Sequence, residues 1–157
     1  MTNGFVRTAT YADVPFLASD VRRADIAEIK AFSGNTPEEA ISTGIGLGAK
    51  VACLPNGIPA AVFGVGPSAE PTLGFVWMVA TNQFHKLHRQ FLREGREHLD
   101  YISRPYGLIM NFTDARNEVH HRWLQWMGFT IIKRHEDFGV EKRPFLEFCR
   151  ITGGPNV

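Results

Sequence analysis

Four histidines are the first residues in this chain with obvious chemical reach. His85 and His88 stand three apart, so one helical face can present both to a metal, but no third ligand follows at a defined spacing. His120 and His121 are adjacent and therefore point to different sides of a helix, which reads as polar surface more readily than as one site. Lys86, Arg89, Arg93 and Arg96, with Arg104 beyond, make a basic stripe interrupted by Glu94 and Glu97, the pattern of a solvated helix face. Gly44, Gly46 and Gly48 lack the strand before and the helix after that a phosphate-binding glycine loop requires, and read as a flexible connector or a lid on the substrate side. Cys53 and Cys149 lie far apart, form no metal spacing, and read as core thiols of a reducing compartment.

The elements that must position these residues follow from periodicity. Phe5 to Ala9 reads as a strand, and Thr10 with Asp13 has the form of a capping box, so a helix begins between them with Val14, Leu17, Ala18 and Val21 inward. A further helical pattern through Ile26, Ile29 and Phe32 stops at Gly34, and Thr36-Pro37-Glu38-Glu39 supplies the strongest helix start in the chain. Lys50 to Leu54 and Ile58 to Gly66 flank Pro55-Asn56-Gly57, a hairpin turn. Thr72 to Ala80 reads as a strand buried on both faces and paired with the one before it.

Gln83 to Ser103 reads as an amphipathic helix, with Gly95 on its inner face allowing close approach to a sheet. Tyr106 to Phe112 is the next strand, and Asn117 caps a helix that turns Val119, Trp123, Trp126 and Met127 inward and ends at Gly128. Thr130 to Phe138 and Phe145 to Ile151 close the chain as an antiparallel pair. The order is strand, two helices, three strands, helix, strand, helix, two strands, an α+β arrangement around one mostly antiparallel sheet. With 157 residues, 44% hydrophobic and 21% charged, this is one ordinary globular domain over residues 1–151, with 152–157 a loose C-terminal tail. A formal charge of +1 gives no general pull toward nucleic acid or an anionic membrane. No signal peptide and no run of roughly 20 apolar residues is present, so a soluble intracellular protein is expected.

The element order, together with Asn117-Glu118-Val119-His120-His121-Arg122-Trp123-Leu124-Gln125-Trp126-Met127-Gly128-Phe129, resembles the GNAT superfamily of N-acetyltransferases, in which an Asn opening the last helix precedes a Gly-Phe at the next strand by this spacing. Phe75 to Thr81, Asp114-Ala115-Arg116-Asn117, Arg122 to Phe129 and Arg143-Pro144-Phe145 resemble small GNAT-like podophage proteins of the internal virion protein A family. The resemblance implies a sheet of six to seven strands flanked by about four helices, with a pair of strands splayed near Ala80 and Tyr106. There, acetyl-CoA would lay its pantetheine along the backbone of Val79, Ala80 and Thr81.

Against the superfamily pattern, the loop Thr81-Asn82-Gln83-Phe84-His85-Lys86-Leu87 has no glycine to let amides approach a pyrophosphate, which leaves Lys86 and Arg89 to supply the charge. Asn117 would lie near the pantetheine arm as well as capping its helix. The position of the tyrosine that reprotonates the thiolate is Leu124, so that role falls to His120, His121 or water, and Glu70 and Asp114 are the candidate proton acceptors for an amine. The resemblance thus implies a phage-encoded acetyl-CoA-dependent N-acetyltransferase acting on a small-molecule or protein amine in the cytoplasm of an infected cell. The alternative is a non-catalytic virion-assembly or host-interaction protein that keeps the fold and is carried in the particle. Neither metal, nucleic acid nor membrane is expected.

Overall fold

The structure, a computed structural model, describes residues 3–153. Seven strands form one sheet in the order β1-β2-β3-β4-β5-β7-β6. They are β1 (Phe5–Thr8), β2 (Lys50–Cys53), β3 (Pro59–Pro67), β4 (Leu73–Ala80), β5 (Leu108–Asp114), β6 (Thr130–Phe138) and β7 (Arg143–Ile151). Every neighbouring pair is antiparallel except β4 and β5, which run parallel. The helices are α1 (Val14–Ser19), α2 (Arg23–Ser33), α3 (Pro37–Gly46), α4 (His88–Ile102) and α5 (Glu118–Trp126).

Local signals explain most of these boundaries. Asp13 accepts from the Thr10 amide at 2.9 Å and holds Arg7 through both carboxylate oxygens, which pins β1 to the short 3-10 turn before α1. The Arg7 bond keeps the Asp13 carboxyl below its usual range, against the upward push of burial. The capping box at Thr36 forms in both directions, with Glu39 N donating to Thr36 Oγ1 at 3.2 Å and Thr36 N donating to Glu39 Oε1 at 3.1 Å.

Where two helices were expected before β2, there are three. Val21 is not helical but forms an isolated bridge to Thr81, and Asp20 accepts from the Asn82 amide and side chain, so the chain between α1 and α2 is sewn to the end of β4. Gly44 and Gly46 are not a connector or lid; they lie inside α3, where a Cβ on Gly44 would stand 2.3 Å from the Trp77 ring. Trp126, expected inward, is 48% exposed and donates its ring N–H to the Leu92 carbonyl, while Trp123 and Met127 are buried. Thr152, placed in a loose tail by sequence, is buried and donates its amide to the Gly107 carbonyl; residues 154–157 lie outside the described residues.

The sheet carries a layer on each face. On one, α1 and α3 pack Leu17, Ile41 and Ile45 onto Val51, Val62, Trp77 and Val79. On the other, α4 and α5 bring Leu99, Leu124 and Met127 to Ile109 and Phe148, with Phe84 and Trp123 over Ala61 and Ala80. Among the described residues no helix is long and apolar enough to cross a membrane, and no group of three or more His, Cys, Asp or Glu is placed to hold a metal.

Candidate functional site

Strands β4 and β5 pair only from Leu73–Leu108 to Phe75–Met110, then part. At the branch, Asn111 Nδ2 donates to the Val76 carbonyl at 2.8 Å, using a side chain where the ladder has ended. The strands therefore leave a V, open toward Ala80 and Asp114. In an antiparallel pair, successive residues turn their amides to alternate edges. The Thr81 amide donates to the Ala60 carbonyl on β3, so Val79 and Thr81 face β3 while Val76, Met78 and Ala80 face the V. Of the three backbone positions nominated from sequence, Val79 and Thr81 are thus turned away, and only Ala80 borders the opening.

That opening is filled from α2. The Arg22 amide donates to the Ala80 carbonyl at 2.9 Å, and the Ala80 amide donates to Asp25 Oδ2 at 2.9 Å, so both groups of Ala80 are occupied. Asp25 Oδ1 accepts from the Arg22 guanidinium at 3.0 Å and from Asn117 Nδ2 at 3.0 Å. One turn further on, Glu28 Oε1 accepts from the Asp114 amide at 2.7 Å and the Thr113 hydroxyl at 2.8 Å. Glu28 Oε2 stands 3.9 Å from His120 Nδ1. Residues 22, 25 and 28 share one side of the chain leading into and along a helix. They reach through the V from one face of the sheet to Asn117 and His120 of the α5 segment on the other.

The structure gathers five nominated residues at this wide end: Ala80, Asp114, Asn117, His120 and His121. Their roles differ from those expected. Asn117 makes no side-chain cap to its own helix; its amide nitrogen goes to Asp25, and its buried Oδ1 has no partner among the described residues. Asp114 is buried and tied to Arg116 at 2.6 Å; burial pushes its carboxyl up, but the Arg116 bonds together outweigh this and hold it low, so it is a poor proton acceptor. His121 Nε2 is 2.9 Å from the Asp114 carbonyl. Glu70 is not in the site; it is exposed at the closed end of the V, where it accepts from the Thr72 hydroxyl. Lys86, in the turn before α4, and Arg89, in its first turn, are both exposed.

Burial pushes the Glu28 carboxyl up, opposed in smaller part by His120 and the Asp114 amide. A folded-state value above the unfolded one means that Glu28 stabilises the fold least once pH rises through that raised value, and carries no such penalty below the ordinary carboxylate range. Glu28→Gln keeps the acceptor for Asp114 and Thr113 while removing the charge. It is expected to raise the melting temperature at pH 8 by roughly 2–4 °C, the shift given by about 1 kcal/mol in a domain of this size, and to leave it nearly unchanged at pH 3.5. Equal shifts at both pH values in thermal scans would refute the assignment.

The residues after β4 do not fit acetyl-CoA in the manner the sequence resemblance implied. The amides of Asn82, Gln83, Phe84 and Lys86 donate to the Asp20 carbonyl, the Thr81 hydroxyl, the Thr81 carbonyl and the Gln83 carbonyl, so they are not free to cradle a phosphate. Phe84 to Leu87 is a 3-10 turn, not the start of the helix, with Phe84 and Leu87 buried. Phe84 packs on Trp123 with ring centroids 4.7 Å apart and on Phe91 at 5.2 Å, and the Arg22 guanidinium lies 4.9 Å above Trp123. This aromatic contact joins the start of α4 to α5 across the groove beside Ala80. Sequence reading missed Arg22, Asp25 and Glu28 altogether and took Trp123 as plain core.

No family model matches the chain, and no curated protein does. Solved structures match over nearly its whole length. An acetyltransferase of the GNAT family from Streptococcus pneumoniae is 15% identical with a TM-score of 0.64, covering 96% of this chain and 100% of its own. The ribosomal-protein-S18-alanine N-acetyltransferase from Escherichia coli is 16% identical with a TM-score of 0.63, covering 98% of each chain. A NatC complex bound to Gag peptide and CoA gives 15% identity and a TM-score of 0.63, covering 96% of this chain and 99% of its own. The fold is that of the GNAT acetyltransferases: a seven-stranded mixed sheet with five helices and a splayed central pair.

Proposed function

We propose that this chain is a GNAT-fold protein whose cofactor cleft is closed, and that it acts by binding a partner instead of transferring an acetyl group. The observation that carries this reading is the Asp25 carboxylate on the Ala80 amide, backed by Asn117 from the far side of the sheet. A thioester and an amine that meet through the V need the space these side chains fill. The occupied amides after β4 and Leu124 at the tyrosine position support the same reading. The resemblance to podophage proteins of the internal virion protein A family supplies the kind of role, assembly of a particle or contact with a host protein.

A second reading, an acetyl-CoA-dependent N-acetyltransferase, is favoured by the parting of β4 and β5 past Phe75 and Met110 and by the named acetyltransferases that share the fold. It requires α2 and Trp123 to withdraw. Acetyl-CoA titration followed by thermal shift and calorimetry separates the two. A working cofactor site stabilises the fold by about 2.7 kcal/mol at a hundred times its dissociation constant. Closure predicts no shift at millimolar acetyl-CoA; saturable binding would replace the first reading by the second.

A further inference from the structure

Helix α4 does not settle onto the sheet along its length. Gly95, expected to let the helix close on the strands, instead abuts the Met127 sulfur, and a cavity of about 360 Å³ lies beneath the helix. It runs from the branch of β4 and β5 to the N-terminal strand, where Gln90 clamps Gly4 by bonds to its amide and carbonyl at 2.8 and 3.0 Å. The walls are apolar, with Phe63, Val76 and Met78 of the sheet facing Phe91, Leu99 and Met127 of the helical layer.

Two features of the lining define what fits. No Lys or Arg is among the lining residues, which include two carboxylates, Glu28 at the V and Glu94 near the Gln90 clamp, and two imidazoles, His98 and His120. At pH 8 an ordinary imidazole is neutral, so an anion would be desolvated without a fixed counter-charge. Glu94 is engaged by Gln90 at 2.9 Å. Glu28 is different: its Oε1 is doubly bonded, but no described residue hydrogen-bonds its Oε2, with His120 Nδ1 left at 3.9 Å. The cavity is therefore mostly apolar, with a few polar side chains on its wall and Glu28 Oε2 as an acceptor at one end, the usual composition of a small-molecule pocket.

We propose that this cavity binds an uncharged medium-chain amphiphile, an aliphatic alcohol in the simplest case, with its tail under α4 and its hydroxyl donating to Glu28 Oε2. An apolar protein cavity of about 150 Å³ stays dry and takes up benzene, so this one has room for roughly a dozen carbon atoms. Burial of the chain supplies the affinity, and the single hydroxyl fixes its direction. The site shares Glu28, His120 and Trp123 with the V, so it rests on the closed-cleft reading, in which these side chains stay in place and the cavity ends at them.

The test is calorimetric titration of the full chain at pH 8 with 1-octanol and with octanoate, which share a tail and differ in charge. Saturable 1-octanol binding at least tenfold tighter than octanoate is expected. Val76→Phe, which places a ring in the cavity, should weaken 1-octanol at least tenfold, and Glu28→Gln should narrow the gap between alcohol and carboxylate. Where Val76→Phe does not fold, as judged by circular dichroism, Ala52→Leu on the neighbouring wall takes its place. Absent 1-octanol binding, octanoate binding as tight as the alcohol, or a cavity-filling variant with unchanged affinity would each overturn the proposal. Binding of neither 1-octanol nor acetyl-CoA would overturn the proposal alone and leave the closed-cleft reading standing, whereas acetyl-CoA binding would overturn the closed-cleft reading itself.

Discussion

Asp25→Ala is expected to lower the unfolding free energy by about 3–5 kcal/mol, the usual consequence of removing one member of a buried ion pair. The Asp25 side chain is 3% exposed and stands between three donors: the Ala80 amide, the Asn117 amide nitrogen and the Arg22 guanidinium. Alanine leaves the Ala80 amide buried without an acceptor, the Asn117 amide nitrogen with only the His120 ring nitrogen at 3.4 Å, and the guanidinium without its counter-charge, and each of these is costly where water is excluded. Asp25→Asn, which keeps an acceptor but loses the charge, should fall between wild type and alanine. Urea denaturation at pH 7 reads the difference directly. A loss below about 1 kcal/mol would mean that water reaches Ala80 readily, and the description of a sealed cleft would have to be abandoned.

Much of the fold could be read from the chain because its signals are local. The reciprocal cap at Thr36, the Asn56-Gly57 turn with Gly57 at a φ of 89°, and the Gly34 stop at a φ of 77° are decided within a few residues and stand where expected. The splayed pair was legible only through resemblance, since nothing in the composition of β4 or β5 says where they part. The filling of the V was not read from the sequence. Arg22, Asp25 and Glu28 are brought to the end of β4 by the Val21–Thr81 bridge, which joins segments sixty residues apart, while Arg23 beside them stays exposed.

One signal was present and went unused. Asp25 stands at helical spacing from Ile29 and Phe32, so a carboxylate lies on the apolar stripe of α2, and a charge in that position needs a buried partner. The candidate site was misread for a related reason. Asn117 was taken as a cap and Asp114 as a base because their types allow those roles, whereas partners from α2 and Arg116 reassign both. Residue type limits a role; the distant neighbour chooses it.

Trp123→Ala should cost about 3–5 kcal/mol, as large aromatic truncations in a core do. The indole is 9% exposed and contacts Phe84, Phe91 and His120 by ring packing and Arg22 by a cation over its face. The Arg22 contact makes this variant more than a core truncation. The same guanidinium bonds Asp25, so the polar plug entering from α2 and the aromatic contact between the α4 lead-in and α5 share one residue. Sites with a shared partner depart from additivity by about 0.5–3 kcal/mol. The double variant Asp25→Ala/Trp123→Ala is therefore expected to lose less stability than the two single losses combined, because either change alone already frees Arg22. Arg22→Ala supplies the control: in that background the Asp25 and Trp123 effects should become additive. Coupling that persists without Arg22 would place the link elsewhere, and additive losses in the wild-type background would make the plug and the aromatic contact two separate closures of one cleft.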